Sequence, residues 1–171
     1  MESMNRSSLY TLHDYTVYAN DLVLQTAAKM PGEALTLDAS PSHGSVKRLL
    51  VHLFRCEYYF LMECMNSQPE DPLGDLDTLT LSALGEAFTV LNDRRGRYLA
   101  HVNEYELQEV IALNLGQTRL SLPRWQFMAQ SLLHSVHHRG ELSIVMTGLG
   151  YPLPTLDPIL LYASQAGQPF S

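Results

Sequence analysis

Four long stretches of the sequence repeat apolar residues at intervals of three and four, the spacing of one face of an α-helix. They cover about residues 7–30, 45–66, 79–105 and 121–147, and segments with Pro or Gly separate them. The third has the most regular heptad pattern, made by Leu84, Phe88, Leu91, Arg95, Tyr98, Val102 and Tyr105. A chain of 171 residues can bury one sizeable core. The sequence therefore predicts a single all-α domain over residues 1–171, a four-helix bundle.

The connecting segments carry signals of their own. Ser42 or Ser45 is a candidate N-cap of the second helix, and Ser121 and Pro123 suit the first turn of the fourth. The segment from Pro69 to Asp75 is predicted to be a loop. A change of period around Asn114-Leu115-Gly116, between residues 110–113 and 118–122, predicts a short hairpin. The tail from Tyr151 to Ser171 contains four prolines and is predicted to be an irregular C-terminal arm, anchored by Leu156, Ile159, Leu160, Leu161 and Tyr162.

The net charge, the apolar runs and the cysteine spacing indicate which partners and which cellular compartment to expect. Against 11 Lys and Arg there are 18 Asp and Glu, a formal net charge of -7, which disfavours nucleic-acid binding. The start of the chain lacks the pattern of a secretory leader, and no apolar run approaches the roughly 20 residues that span a bilayer. Cys56 and Cys64 are two helical turns apart, about 12 Å, too far for a disulfide. We expect a cytoplasmic protein with reduced thiols and no membrane partner.

Histidine is the residue type that points to chemistry. His134 and His138 lie on the inward stripe of the fourth helix, where one turn separates them, so both rings can converge on one point. His52 lies on the apolar stripe of the second helix. Three neutral imidazoles bind Zn²⁺ or Ni²⁺ and leave a coordination position open. The alternatives are a satisfied core histidine at position 52 and two solvated histidines on the fourth helix.

Other polar residues near these positions carry weaker signals. His137 points away from the stripe and is expected at the surface or beside the ligands. Cys56 lies one turn after His52 and is either a fourth ligand or, as the pattern favours, a small core residue. Glu57 and Glu63 are similarly close to the ligands, and the alternative for both is a solvated face. The remaining histidines, to which we assign no role, are His13, His43 and His101.

Arg95 interrupts the apolar heptad of the third helix. Such a residue either extends its charged end into solvent or faces a pocket, where it holds an anionic substrate. The sequence contains no H-E-x-x-H, no phosphate-binding P-loop and no G-x-G-x-x-G motif. The paired Glu-x-x-His motifs of di-iron bundles are also missing, which excludes that class.

Taken together, the motifs resemble the DinB/YfiT-like metalloenzyme family over nearly the whole chain. The segments that carry the resemblance are Tyr15–Asn20, Gly44–Val46, Leu49–Leu53, His134–Gly140, Gly150–Pro154 and Leu156-Asp157. The resemblance implies an antiparallel four-helix bundle with a long crossover between the second and third helices.

The same resemblance implies that the metal ligands are His52, His134 and His138, with Zn²⁺ as the expected ion and Ni²⁺ as the alternative. This chain departs from the family at two places. Leu133 stands where members often have Asn, and Glu141 stands where they often have Gln. A carboxylate at position 141 changes the surroundings of the ligands and can alter the metal preference.

Some members of that family are S-transferases or isomerases that use small bacterial thiols such as bacillithiol or mycothiol. The leading hypothesis is therefore a metal-dependent enzyme, either a thiol S-transferase with a small-molecule thiol substrate or a hydrolase. The alternatives are a noncatalytic stress-related binding or dimerisation module and an apolar binding cavity without metal. A second apolar row on the fourth helix predicts a homodimer, and its members are Met128, Leu132, Val136 and Met146.

Overall fold

Seven helices and one two-stranded sheet make up residues 3–68 and 70–168, the part of the chain that a computed structural model describes. The elements are α1 (Arg6–Ala27), α2 (Gly32–Thr36), α3 (Val46–Cys64), α4 (Leu81–His101), α5 (Glu104–Gln108), β1 (Val110–Leu115), β2 (Thr118–Pro123), α6 (Arg124–Gly148) and α7 (Pro158–Gln165). The four predicted long helices are α1, α3, α4 and α6, so the all-α bundle is confirmed.

Side-chain caps determine where three of the long helices begin. Asn5, Ser45 and Thr80 each accept a hydrogen bond from a backbone amide in the first turn of the helix that follows. Of the two candidate caps for α3, Ser45 is therefore the one used. The expectation for α6 was one turn too early, because Ser121 belongs to strand β2 and the helix begins directly after Pro123.

Contacts between helix ends fix the direction of the chain. Arg6 at the start of α1 donates to the backbone oxygen of Ala100 near the end of α4, so these helices are antiparallel. The Tyr98 hydroxyl, also near the end of α4, donates to Cys64 O at the end of α3, which makes α3 and α4 parallel. Arg124 at the start of α6 also donates to Cys64 O, so α6 is antiparallel to α3. The long crossover between the second and third long helices is confirmed.

The core lies among these four helices, and α6 packs chiefly against α3 and α1. The heptad of α4 faces the core from Leu84 through Val102. Tyr105 is 80% exposed, because α4 ends at His101 and a new helix begins behind a capping box of Asn103 and Glu106. None of the described helices combines the length and apolar character needed to cross a membrane.

The hairpin is confirmed, and the arm differs from expectation. Strands β1 and β2 pair antiparallel with Leu113 opposite Leu120, and Gly116 takes the left-handed conformation in the turn, with φ of 59°. The tail, expected to be irregular, forms helix α7 because Pro158 suits a first helical turn. Two of its proposed anchors face solvent, since Ile159 is 59% and Tyr162 37% exposed.

A few expectations fall on residues 1–2, 69 and 169–171, which lie outside the described residues. They concern the first two positions of the chain, the first residue of the loop predicted over residues 69–75, and the last three positions of the arm.

The second apolar row of α6 is mostly covered by the chain itself. Met128, Leu132 and Met146 are at most 1% exposed, and only Val136 reaches the surface, at 42%. The interior of the bundle thus accounts for the row that motivated a homodimer. The homodimer stays a prediction.

Candidate metal centre

Three imidazole rings from two antiparallel helices meet between α3 and α6. His52 Nε2 lies 3.1 Å from His138 Nε2, which lies 3.2 Å from His134 Nε2. One helical turn separates His134 from His138, so both rings leave α6 on the same side. The three predicted residues are therefore brought together, with the same ring nitrogen of each turned inward.

These distances match those of ligands that share one ion. Nitrogens bound tetrahedrally at about 2.0–2.1 Å from zinc are roughly 3.3–3.4 Å apart, and a smaller bond angle brings them closer. The nitrogens of neutral imidazole rings are also donors that suit Zn²⁺ and Ni²⁺. The donor set and its spacing fit a divalent transition-metal ion.

The surroundings keep the rings in the form that can bind metal. Burial and, after it, the neighbouring rings of His43 and His138 together lower the pKa of His52 to about 4. Burial and the rings of His134 and His137 lower the pKa of His138 to about 4. The pKa of His134 is lowered as well, first by burial. At neutral pH the three nitrogens are unprotonated donors.

Glu141, one turn after His138 on α6, connects the ring cluster to the turn before α3. Its Oε1 accepts hydrogen bonds from Ser40 Oγ at 2.6 Å and Ser42 N at 3.2 Å, and its Oε2 accepts one from Ser42 Oγ at 2.6 Å. Burial alone would raise the pKa of Glu141, but these hydrogen bonds hold it at about 2. The ionised carboxylate also lies 3.6 Å from His138 Nδ1.

Two ring nitrogens of the cluster are left without partners. His134 Nδ1 and His138 Nδ1 are buried and make no hydrogen bond within residues 3–68 and 70–168. A metal-binding histidine usually donates its second N–H to a carboxylate, a carbonyl or water. The carboxylate of Glu141 is the nearest such acceptor for His138, slightly beyond hydrogen-bonding distance.

His43, to which no role was assigned from the sequence, belongs to the same cluster. Its ring centroid lies 3.9 Å from that of His52 and 5.3 Å from that of His138. Its Nδ1 is 2.5 Å from Ser42 Oγ, the hydroxyl that also bonds Glu141. Because Ser42 gives its proton to the carboxylate, the ring of His43 is left to donate to Ser42.

Two further residues line or border the cluster as the sequence allowed. Cys56 is half-buried one turn after His52, and its Sγ is 3.6 Å from His52 Nε2. Burial and, after it, the charge of Glu57 together raise the pKa of the Cys56 thiol to about 11. His137 is exposed with its ring 4.9 Å from that of His138, as its position on the helix predicts.

Glu57 and Arg95 are buried in the core next to the ring cluster, which differs from what the sequence led us to expect for each. Glu57 was expected either beside the ligands or on a solvated face, and Arg95 either in solvent or at an anion pocket. Both are 0% exposed. Arg95 Nη1 lies 2.6 Å from Glu57 Oε2, so each charge has its partner in the core. The remaining guanidinium nitrogens donate to His13 Nδ1 at 3.0 Å and Asn92 Oδ1 at 2.9 Å.

The other oxygen of Glu57 joins α3 to α1 and α6. Glu57 Oε1 accepts from Asn20 at 2.9 Å and from Ser135 at 2.6 Å. Burial would raise the pKa of Glu57, but Arg95 and these hydrogen bonds outweigh it and keep the pKa below its usual value. Arg139, 1% exposed, donates to Asn20 at 2.8 Å and lies 5.1 Å over the ring of Tyr15.

Comparisons with known proteins agree with this architecture. The model of the DinB family matches residues 4–168 of the chain. The crystal structure of a DinB-like protein from Bacillus cereus ATCC 10987 superposes with a TM-score of 0.62 at 15% sequence identity. That similarity covers 81% of this chain and 90% of the other. Because the sequence identity is only 15%, it shows the fold alone. No curated protein gave a significant match.

Proposed function

The chain belongs to the DinB family, and from this membership and the converging rings we propose that it is a metal-dependent enzyme. The observation that carries the proposal is the position of His138 Nε2, within 3.2 Å of the Nε2 atoms of both His52 and His134. A binding module has no need of three imidazoles with their nitrogens turned towards one point. The proposed ligands of the ion are these three histidines.

Zn²⁺ is the ion we propose, with Ni²⁺ as the alternative, because imidazole suits both. When bound, such an ion acts as a Lewis acid that lowers the pKa of a water or thiol in its open position. The residues of the chain hold the three rings in place. Glu141 anchors the turn that carries His43 beside them, and the Glu57–Arg95 pair fixes α3 against α4.

The reaction we propose is S-transfer with a low-molecular-weight bacterial thiol. A borderline-soft ion with three nitrogen ligands keeps affinity for sulfur, which supports a thiol as the molecule that is activated. Hydrolysis by an activated water is the second candidate, and the same site supports it. The ionisable residues beside the rings that could move a proton in either reaction are His43 and Glu141.

The metal content of protein purified without an affinity tag tests the proposal. We expect about one equivalent of zinc or nickel per chain by elemental analysis, and loss of that equivalent in His52→Ala. Thiol transfer to an electrophilic test substrate is then measured with and without the metal. A folded protein that retains no metal after supplementation with both ions would refute a metal-dependent function, whereas bound metal with activity only towards esters would favour the hydrolase.

A further inference from the structure

We propose that Cys56 supplies the fourth donor atom of the metal centre, which becomes a site of three nitrogens and one sulfur. This inference rests on the proposed metal site and deepens it. Its basis is the position of the thiol relative to the rings, because the sequence pattern left open whether Cys56 is a ligand or a core residue.

The sulfur of Cys56 lies beside the inward-facing nitrogen of His52. Its Sγ is 3.6 Å from His52 Nε2 and 3.9 Å from His52 Nδ1, so it is closer to the nitrogen that faces the other two rings. A donor atom of Cys56, one of His52 and one of His134 all lie within 4.8 Å of one another. The thiol is therefore near both helices that supply the imidazoles.

The spacing of sulfur and nitrogen fits a shared tetrahedral ion. With bonds of about 2.3 Å to sulfur and about 2.0–2.1 Å to nitrogen, the two donor atoms are roughly 3.6 Å apart. The distance from Cys56 Sγ to His52 Nε2 is 3.6 Å. The same one-turn spacing that brings His134 and His138 together places Cys56 beside His52 on α3.

Cys64, two turns further along α3, provides an internal comparison. It is 0% exposed, belongs to the apolar core, and its Sγ is 3.7 Å from the backbone oxygen of Arg124. That thiol fills space and has a local hydrogen bond. Cys56 is only half-buried and faces imidazole nitrogens, so packing alone does not explain its place.

Cys56 then occupies the position that the proposed reaction needs, so a substrate thiol reaches the ion only by displacing the Cys56 sulfur. With Cys56 bound, an external thiol competes with an internal one for the ion. Removing the Cys56 sulfur should therefore make the metal more accessible to small thiols, although the affinity for the ion itself falls.

Substitution with Co²⁺ tests the proposal, because cobalt bound to a thiolate gives a sulfur-to-metal charge-transfer absorption in the near ultraviolet. We expect this band in the wild-type protein without any added thiol, its loss in Cys56→Ala, and its retention in Cys64→Ser. Addition of a small thiol should restore a band in Cys56→Ala. Circular dichroism and the visible cobalt bands establish that each variant is folded and loaded.

The outcomes separate this inference from the proposed function. Stoichiometric cobalt without the band in the wild type would overturn the role of Cys56 and leave the three-histidine site standing. No cobalt uptake by the folded wild type would overturn both. Alkylation gives a second readout: metal should protect Cys56 from iodoacetamide by at least about tenfold in rate, and a chelator should remove that protection. Equal rates with and without metal would contradict the proposal.

Discussion

Two polar clusters lie next to each other in the bundle, and their central residues differ in how completely their hydrogen bonds are satisfied. Around Glu57 both carboxylate oxygens and all the guanidinium nitrogens of Arg95 have partners, and both residues are 0% exposed. In the imidazole cluster one turn away, His134 Nδ1 and His138 Nδ1 have no partner in the described part of the chain. The pair of Glu57 and Arg95 is fully hydrogen-bonded, although the neighbouring Arg139 keeps two guanidinium nitrogens without a partner in the described residues. The imidazole cluster, by contrast, has ring nitrogens left over at its centre.

The difference shows what each cluster contributes. Buried charges are tolerated only when they are paired and hydrogen-bonded, and the pair formed by Glu57 and Arg95 meets that requirement. Neutral imidazoles cost less to bury, and their free nitrogens remain available to a ligand. We therefore assign a structural role to the first cluster and a binding role to the second.

The largest effect should follow from breaking the pair of Glu57 and Arg95. Replacing Arg95 by Leu leaves the charge of Glu57 buried without a partner, and we expect a loss of about 3–5 kcal/mol in the free energy of unfolding. The matched control is Arg97→Leu on the same helix, whose 2.6 Å pair with Asp93 has side chains 66% and 59% exposed. Exposed pairs contribute at most about 1 kcal/mol.

Urea denaturation of the metal-free protein measures both variants. Removing the second charge as well, in Glu57→Leu with Arg95→Leu, should recover part of the loss if the unpaired carboxylate is its cause. Equal destabilisation by Arg95→Leu and Arg97→Leu would mean that the buried pair is not a structural element.

A smaller effect is expected from the residue that borders the imidazole cluster. In Glu141→Ala the turn with Ser40 and Ser42 loses its anchor, and His138 loses the neighbouring carboxylate. Loss of such supporting groups typically lowers metal affinity about 10- to 100-fold. In Glu141→Gln the amide oxygen still accepts from one serine, so the affinity should fall less. Competition with a chelating dye measures this, with Asp93→Ala as the control for charge alone.

An unchanged metal affinity in Glu141→Ala would show that the rings are held in place without the hydrogen bonds from Ser40 and Ser42 to Glu141.

The stability of the metal-free protein should also depend on pH. The pKa values of His13, His52 and His138 are about 4 in the folded protein against an ordinary value of 6.5. Between these values the unfolded chain binds more protons than the folded one, so acidification favours unfolding. The free energy of unfolding of the metal-free protein should fall as the pH decreases from about 7 towards 4.

Denaturant midpoints across this range measure the slope, which should be shallower in His52→Gln because one titrating ring is gone. A stability that stays level or rises on acidification would contradict the assignment of neutral buried rings.

Periodicity carried most of what the sequence predicted. It located the four long helices and placed His52, His134 and His138 on inward stripes, because the phase of a helix fixes which residues share a face. The period did not reveal the break between α4 and α5, although Asn103 and Glu106 form a capping box that the sequence contains.

What could not be predicted depends on contacts between distant segments. His43 lies in a turn, where no period indicates its direction, and only the fold shows that the turn lies beside α6. Glu57 and Arg95 are 38 positions apart, so a pattern within one helix cannot show that they pair. Helix α7 contains Pro158, which the sequence alone allowed in a loop as readily as in a first helical turn.

Calorimetric titration of Zn²⁺ and Ni²⁺ into the metal-free protein, its His134→Ala variant and its His137→Ala variant tests the central claim most directly. The two histidines are three positions apart on α6, but only His134 directs its Nε2 to the cluster, at 3.2 Å from His138 Nε2. We expect one site per chain, a loss of at least about 100-fold in affinity in His134→Ala, larger than that of a supporting residue, and nearly unchanged binding in His137→Ala. Undiminished affinity in His134→Ala, or an equal loss in His137→Ala, would contradict the three-histidine centre.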